Sequence, residues 1–441
     1  MSILTRTAVA LQTLLSSVAE DVARHVPVVK RRRKFSPALL AQTFILGFLA
    51  KPNASDQDLA RMAARCGVLV TPQAVEQRFT ETLVTFLETL FHKALAVRIQ
   101  ADRALAPLVE RFPAVILQDS SSIALPDELR DRFPGCGGSY GGGKAAMKLQ
   151  VQLDIKHGSL PALSVEAGKD CDQRTPLQTA RLPEGSLRIA DLGYFDTKVF
   201  QEMEAQKTLW ISRLSFNTDI FTAEGEPIER IEDLFESGEA VVDQAILLSK
   251  GAKIPCRIVA WRVPEEVANR RRQKLIATAR DKGEPMPSRA RLQWCDWMIF
   301  VTNVSGERLS PQEIAVLYRA RWQIELMFKR WKSLGQIADM SGSTVTRQMV
   351  RLWSRLLAMV VQNWLLVACV WGDRRCSLHK ACVAIRDLVT HLATVLNDLE
   401  RLTGEIEGMS QILGKLCRSD KRKQPSTFEL LNDPSLLEYG S

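Results

Sequence analysis

Four side chains that could act on a phosphodiester recur at helical spacing in the second half of the chain. Tyr318, Arg321, Glu325 and Lys332 lie three, four and seven residues apart. At about 100° per residue, a helix places all four within an arc of about 60°. Glu binds hard divalent cations, and Arg and Lys neutralise phosphate oxygens. The alternative is a solvated face, because Arg321 and Glu325 also have the spacing of a helical ion pair.

The helix that must carry these residues has clear boundaries in the sequence. Ser310 and Glu313 form a capping box around Pro311, and Gly335 is a natural stop. Apolar residues at helical spacing predict a buried stripe beside the reactive one, and they are Leu317, Ile324, Phe328 and Trp331. The reactive stripe therefore borders the core, which is where a cleft would lie.

Two further carboxylates follow short apolar runs. Asp119 comes after residues 114–117, and Asp191 comes after Leu187–Ala190. In open α/β sheets, ligands bind at the carboxyl ends of the strands. Asp119, Asp191 and Glu325 are therefore predicted to bind one or two Mg²⁺ ions, with Mn²⁺ as a substitute.

Other acids compete with these three for a metal-binding role. They are Asp154, Asp170 and Asp196. Asp191 also has a structural alternative, because an Asp two residues before Gly193 can cap a turn.

The pattern of the middle of the chain predicts an α/β fold with a mixed sheet. Strands are expected at residues 148–155, 160–165, 187–190 and 208–214. Further strands at 240–248, 254–263 and 292–304, with a charged helix at 265–281, indicate a β-rich insertion.

Both ends of the chain are predicted to be helical, which gives five segments. These are an amino-terminal DNA-binding region (1–105), the first part of the core (106–214), the insertion (215–304), the second part of the core with the Glu helix (305–344), and a helical carboxy-terminal region with a polar tail (345–441).

The amino-terminal region shows helical periodicity at residues 4–26, 36–50, 55–66 and 71–100. The last two helices suggest a helix-turn-helix in which Gln73, Gln77 and Arg78 face a DNA groove, and a plain helical scaffold is the alternative. A dense cationic cluster is predicted to lie on phosphates, and it comprises Lys30, Arg31, Arg32, Arg33 and Lys34.

Composition favours a polyanionic partner. Among 441 residues, 59 Lys and Arg outnumber 50 Asp and Glu, and the pI is about 9.1. The nine cysteines are scattered singly, which argues against a disulfide framework. No signal peptide is recognised, and the apolar stretch at 356–371 is too short to span a bilayer. We therefore expect a cytoplasmic protein, nucleoid-associated when bound to DNA, with no membrane partner.

The four-residue stripe resembles the Y-(2)-R-(3)-E-(6)-K signature of IS4-family transposases, the group that contains the Tn5 transposase. The segment around Asp119 (Leu-Gln-Asp-Ser-Ser) and the segment around Asp191 (Ile-Ala-Asp-Leu-Gly-Tyr) resemble the two Asp motifs of that family. The resemblance spans roughly residues 110–370.

This resemblance implies an RNase H-like fold with an insertion before the Glu and a DDE triad of Asp119, Asp191 and Glu325. Tyr318, Arg321 and Lys332 are implied as DNA-phosphate contacts. An aromatic side chain that stacks on a flipped base is also implied, and the candidates are Trp294, Trp297 and Trp322.

The activity implied is cut-and-paste transposition of double-stranded DNA. It would comprise cleavage of one strand at each transposon end, formation and reopening of a hairpin, and joining of the ends to a target by a synaptic homodimer. Two alternatives remain. One is a domesticated or inactive relative that only binds DNA, and the other is a two-metal nuclease without strand transfer.

Overall fold

The structure is a computed structural model that describes residues 1–29, 34–136, 144–234, 241–340, 342, 344–420 and 424–437. The chain forms two compact units. Unit 1 comprises Met1–Leu105, Ser120–Asp170 and Gln323–Lys421, and unit 2 comprises Ala106–Asp119, Cys171–Trp322 and Arg422–Ser441. The boundaries of these two units differ from those of the five predicted segments. The division into five segments therefore stays a prediction.

The helices in the described residues are α1 (Ile3–Thr13), α2 (Ala19–His25), α3 (Pro37–Ala50), α4 (Asp56–Arg65), α5 (Pro72–Glu76), α6 (Glu81–Ala96), α7 (Pro107–Glu110), α8 (Thr197–Ala205), α9 (Glu265–Lys282), α10 (Arg289–Gln293), α11 (Pro311–Ala320), α12 (Trp322–Ser333), α13 (Val345–Cys369), α14 (Leu378–Val395), α15 (Leu399–Leu416) and α16 (Thr427–Asn432). The strands are β1 (Val115–Leu125), β2 (Ala145–Asp154), β3 (Ala162–Ala167), β4 (Leu187–Ala190), β5 (Leu209–Arg213), β6 (Ile220–Thr222), β7 (Pro227–Ile228), β8 (Val241–Leu248), β9 (Ile254–Arg262) and β10 (Trp297–Thr302).

The strands form one mixed sheet in the order β3-β2-β1-β4-β5-β10-β9-β8-β6-β7. Strands β1, β4 and β5 are parallel, whereas β10, β9, β8, β6 and β7 continue the sheet in antiparallel fashion. The mixed sheet with helical flanks is the predicted RNase H-like architecture, and the strands of the insertion extend that sheet.

Strand β1 is longer than the sequence pattern predicted. The apolar run ends at Leu117, but the strand continues through Asp119 and Ser120 to Leu125. Its pairing with β4 ends where Gln118 meets Ala190. Asp119 is therefore inside a strand rather than after one, and it is the first β1 residue beyond the end of β4. The residues after Asp119 are mostly polar, so the sequence pattern did not predict a strand there. Periodicity and hydrophobicity do not show which strands pair with one another.

The predicted last insertion strand is wrong in its first half. Residues 292–296 belong to α10 and a 3₁₀ turn, and the strand begins only at Trp297. Unit 2 has its own core around this strand. It joins Trp297, Trp210 and Phe200, all at most 4% exposed, and the rings of Phe200 and Trp210 stack 4.1 Å apart.

Unit 1 is built around α13, which is almost entirely buried. In the described part of the chain, α13 is the one helix long and apolar enough to cross a membrane, and 83% of its most apolar stretch is buried inside the protein. The apolar stretch at 356–371, expected to be too short to span a bilayer, is thus part of a longer helix of 25 residues. The ring of Trp353 on α13 lies 5.4 Å from that of Phe91 on α6.

The helix predicted at residues 71–100 is divided into α5 and α6. The break falls at residues 77–80, where Thr80 caps α6 by accepting a hydrogen bond from the Leu83 N–H. Phe79, just before that cap, packs edge-to-face on Phe44 at 5.3 Å. A local cap and a tertiary aromatic contact thus override the continuous helical pattern.

The helix predicted from Ser310 to Gly335 is also divided, into α11 and α12 at Arg321. The N–H of Arg321 donates to the Tyr318 carbonyl, three residues back, instead of four. The capping box at Ser310 and Glu313 is confirmed, with hydrogen bonds of 2.9 and 3.2 Å.

Candidate active site

Two carboxylates lie beside each other in unit 2, where strand β1 passes the end of its parallel neighbour β4. Gln118 of β1 pairs with Ala190 of β4, so the next residues, Asp119 and Asp191, follow that last pair together. Side chains alternate between the faces of a sheet, and residues opposite one another share a face. The Asp119 and Asp191 side chains therefore lie on the face of the sheet opposite to the Gln118 side chain.

Each of these carboxylates meets a side chain from α11 or its end. The Arg321 guanidinium donates to Asp119 Oδ2 at 3.1 Å, and 16% of each of these two side chains is exposed. The Tyr318 hydroxyl donates to Asp191 Oδ1 at 3.4 Å. Two members of the predicted stripe thus contact the two predicted acids of unit 2.

The environment of Tyr318 keeps its hydroxyl protonated. Burial, followed by the negative charge of Asp191, raises the pKa of Tyr318 to about 12. Its ring packs 4.8 Å from that of Phe300 on β10. At neutral pH the phenol is a neutral donor whose position is fixed by packing.

Local structural roles explain the competing acids. Asp154 accepts from the Lys156 N–H and from His157, and Asp170 accepts from the Ala167 N–H. Asp196 caps α8 by accepting from the Lys198 N–H. By contrast, the Asp191 side chain makes no capping hydrogen bond to the 3₁₀ turn at Leu192–Tyr194.

Glu325 and Lys332 lie on α12, within unit 1. Glu325 is half-buried, and the neighbouring apolar stripe is confirmed because Ile324, Phe328 and Trp331 are all at most 5% exposed. Lys332 Nζ donates to the Ser122 carbonyl at 3.0 Å, and burial lowers the pKa of Lys332. Lys332 is therefore held against β1, a contact that the sequence did not predict.

The end of α12 shows why a glycine follows it. A Cβ on Gly335 would lie 2.5 Å from the Met359 side chain and 2.7 Å from the Trp331 carbonyl. The left-handed residue is Gln336, with φ of 47°. Gly335 thus permits close packing onto α13, and the helix stops where it was predicted to stop.

The donor chemistry of unit 2 fits a hard divalent cation. Asp119 and Asp191 offer carboxylate oxygens, and Arg321 supplies a positive charge at Asp119. Within either unit, the described residues hold no group of three or more His, Cys, Asp or Glu side chains placed to bind a metal. Unit 2 supplies two of the three predicted ligands, and Glu325 belongs to unit 1.

A comparison with protein families now decides the class of the protein. The family described as "Transposase DDE domain" matches residues 110–361, which is more than half of the chain. The chain belongs to this family.

Curated transposases resemble this DDE-family chain over most of its length. The transposase for insertion sequence element IS231E of Bacillus thuringiensis subsp. finitimus is 27% identical over 93% of this chain and 90% of its own length. The transposase for IS1151 of Clostridium perfringens is 26% identical over 69% of each chain. The match to IS231 and IS1151 elements agrees with the IS4-family resemblance.

The three tryptophan candidates of this DDE-family chain have different surroundings. Trp297 is 4% exposed in the unit 2 core, with the Arg262 guanidinium 4.9 Å from its ring. Trp294 is partly buried and packs edge-to-face on Phe216. Trp322 is 45% exposed. Burial thus separates Trp297 from the other two, a distinction that sequence alone did not make.

A cavity of about 350 Å³ in unit 2 was missed by sequence reasoning. It is lined by Leu192, Ser215, Phe216, Asn217, Ser288 and Arg291. Leu192 follows Asp191 directly, and the Arg291 guanidinium lies 4.7 Å from the Phe216 ring. The position of Phe216 soon after β5 was the available signal.

The amino-terminal candidates lie on the short helix α5, in the irregular segments beside it and near Lys34, or outside the described residues. Gln73 lies on the five-residue helix α5, and Gln77 and Arg78 follow it. The Arg78 guanidinium packs 5.2 Å from the Phe35 ring. Lys34 is exposed and donates to the Leu69 carbonyl at 3.1 Å, whereas Lys30, Arg31, Arg32 and Arg33 lie outside the described residues.

Proposed function

We propose that this chain is a cut-and-paste DNA transposase that cleaves DNA at element ends and joins them to a target. The observation that carries the proposal is the pair Asp119 and Asp191 on adjacent parallel strands, each contacted by a residue of the family-type helix signature. Membership of the DDE family makes phosphodiester cleavage and transesterification the reaction class. The proposal adds the residues and their roles.

Asp119, Asp191 and Glu325 are proposed as the catalytic carboxylates that hold divalent metal ions, with Mg²⁺ as the natural ion and Mn²⁺ as a substitute. When bound, a pair of such ions supplies activation of a nucleophile and stabilisation of the leaving oxygen. Support comes from the donor type and from Asp191, whose carboxylate has no capping role.

Arg321, Lys332 and Tyr318 are proposed to position the scissile phosphate. Arg321 presents a planar fork that suits two phosphate oxygens, and Lys332 presents a point charge. Tyr318 is a fixed neutral donor. Arg321 would exchange its contact with Asp119 for phosphate when DNA binds, because both partners offer anionic oxygens.

Trp322 or Trp294 is proposed as the side chain that stacks on an unpaired base. Trp322 offers an exposed ring, and Trp294 packs on Phe216 at the wall of the 350 Å³ cavity. Trp297 is disfavoured, because exposing its ring would disrupt the unit 2 core.

The amino-terminal region and the basic cluster are proposed to contact duplex DNA outside the cleavage site, through Lys30, Arg31, Arg32, Arg33, Lys34, Gln73, Gln77 and Arg78. The net charge of +9 supports this attraction to phosphates. The proposed assembly is a homodimer that pairs two element ends, acting in the cytoplasm and on the nucleoid.

One experiment separates this proposal from its alternatives. Purified protein is mixed with paired DNA ends taken from the flanks of its coding frame, a target plasmid and Mg²⁺. A transposase yields plasmids that contain joined ends. A nuclease would yield cut ends without joined products, and an inactive relative would shift the DNA in a gel without cutting it.

A further inference from the structure

The most unusual charged group in unit 2 is Arg188, in the middle of β4. It is 3% exposed, and no carboxylate among the described residues forms an ion pair with it. Burial lowers the pKa of Arg188 to about 10, which leaves it protonated at neutral pH. A buried cation without a counter-ion is costly, so packing alone is a poor explanation for an arginine at this position.

The hydrogen bonds of Arg188 reach two segments of the chain, one next to Asp119 and the other next to Asp191. Its Nε donates to Gln118 Oε1 at 3.0 Å, and Gln118 immediately precedes Asp119. Its Nη2 donates to Gln178 Oε1, and Gln178 Nε2 donates to the Tyr194 carbonyl at 2.8 Å. Tyr194 ends the turn that follows Asp191.

Sheet register explains how one side chain can reach both places. Arg188 pairs with Ile116, and Ala190 pairs with Gln118, so Arg188 and Gln118 share one face of the sheet. The acids follow on the opposite face. Arg188 therefore lies on the face of the sheet opposite to the acids. There its Nη1 donates to Met203 Sδ of α8 at 3.8 Å, and its guanidinium lies 5.9 Å from the Tyr194 ring.

We propose that Arg188 is a positioning residue that fixes the spacing of Asp119 and Asp191. Its planar guanidinium connects the side chain next to Asp119 with the turn next to Asp191, and so holds two separate backbone segments in one register. The inference rests on the proposed function, because it assigns these two acids a shared task. The contribution depends on the geometry of the fork, which a lysine cannot reproduce.

The test compares Arg188→Lys, which keeps the charge, with Arg188→Met, which keeps the bulk. The matched control is Arg257→Lys. Arg257 is also buried in unit 2, at 8% exposed, but its bonds go to Asp243 and to the carbonyls of Val304 and Leu309. Four quantities are measured for each variant: melting temperature, Mn²⁺ affinity of the DNA-free protein by electron paramagnetic resonance, binding of element ends, and single-turnover cleavage.

Both Arg188 variants should weaken Mn²⁺ affinity or slow cleavage by about 10- to 100-fold, which is the usual cost of removing support behind metal ligands. End binding should change less than about twofold, since Arg188 is buried away from solvent. The control should lose comparable thermal stability and keep its Mn²⁺ affinity and cleavage rate.

Two results would overturn the inference. Normal Mn²⁺ affinity and cleavage in Arg188→Lys would show that the fork is not needed. Equal losses in the Arg257→Lys control would show that any buried arginine matters only through stability. If the wild type binds Mn²⁺ through Asp119 but cleaves no element ends, the proposed function fails, and weaker Mn²⁺ binding in the Arg188 variants still supports positioning.

Discussion

Two regions of the chain were predicted to act on DNA: the acid pair Asp119 and Asp191, and the helix-turn-helix candidate with Gln77 and Arg78. At the acid pair, the fold brings side chains from distant segments into contact: Asp119 with Arg321, and Asp191 with Tyr318. At the turn, Arg78 packs on Phe35 of its own unit. The first region thus joins residues far apart in the sequence, whereas the second makes a contact within unit 1, and the DNA role of both stays a prediction.

The largest effect is expected from the acids themselves. Asp119→Asn, Asp191→Asn and Glu325→Gln should each slow strand cleavage by about a thousandfold or more, because each removes the charge of a proposed metal ligand. End binding should persist. Single-turnover cleavage in Mg²⁺ and a gel-shift assay measure the two properties.

The control for the acids is Asp196→Asn, since Asp196 caps α8 and makes no contact with the pair. It should cleave normally. If one of the three acid variants cleaves at nearly the wild-type rate, the role assigned to that residue is wrong.

The next effect concerns Arg321 and Lys332. Loss of a charge-assisted hydrogen bond costs about 1.5–3 kcal/mol, so Arg321→Ala and Lys332→Ala should each slow cleavage by roughly 10- to 100-fold. Because both side chains are held by protein partners, some loss of melting temperature is expected as well. Single-turnover cleavage and thermal unfolding are measured in parallel.

Arg319→Ala is a suitable control, because Arg319 precedes the break between α11 and α12 and is outside the signature. A large drop in melting temperature with unchanged cleavage would show that the contact of Arg321 with Asp119, or of Lys332 with the Ser122 carbonyl, only stabilises the fold.

Tyr318→Phe should have a smaller effect. It removes a long hydrogen bond to Asp191, 3.4 Å, and keeps the ring against Phe300. A hydrogen bond this long contributes about 0.5–1.5 kcal/mol, so cleavage should slow by about two- to tenfold with little change in melting temperature. Wild-type kinetics in this variant would remove the hydroxyl from the site and leave Tyr318 as a packing residue.

The smallest effects per residue are expected in the amino-terminal region. Replacing Lys30, Arg31, Arg32, Arg33 and Lys34 with Gln should flatten the dependence of DNA affinity on salt, by a slope of about 0.9 for each lost phosphate contact. Binding is measured by fluorescence anisotropy across a salt series. An unchanged slope would show that the cluster is only a solvated linker.

Arg78→Ala sharpens the comparison between the two regions. Given its contact with Phe35, we expect a lower melting temperature and nearly unchanged DNA affinity. Weaker and less specific end binding at unchanged melting temperature would instead restore the helix-turn-helix interpretation.

The sequence by itself determined the protein family and the class of fold. Asp119, Asp191, Tyr318 and Arg321 were identified from residue type and spacing, and β4 was predicted within its bounds, because a buried parallel strand is a short apolar run. The capping box at Ser310 followed from local chemistry in the same way, since its donors and acceptors lie within one helical turn.

Only the tertiary structure decided which side chains meet. The continuation of β1 past Asp119, the break at Arg321 and the burial of Trp297 depend on strand pairing and packing with segments far along the chain. The same holds for Arg188, whose partners are 70 and 10 residues away. A periodic sequence pattern shows which side of a segment faces the core. It does not show which residues of another segment pack against that side.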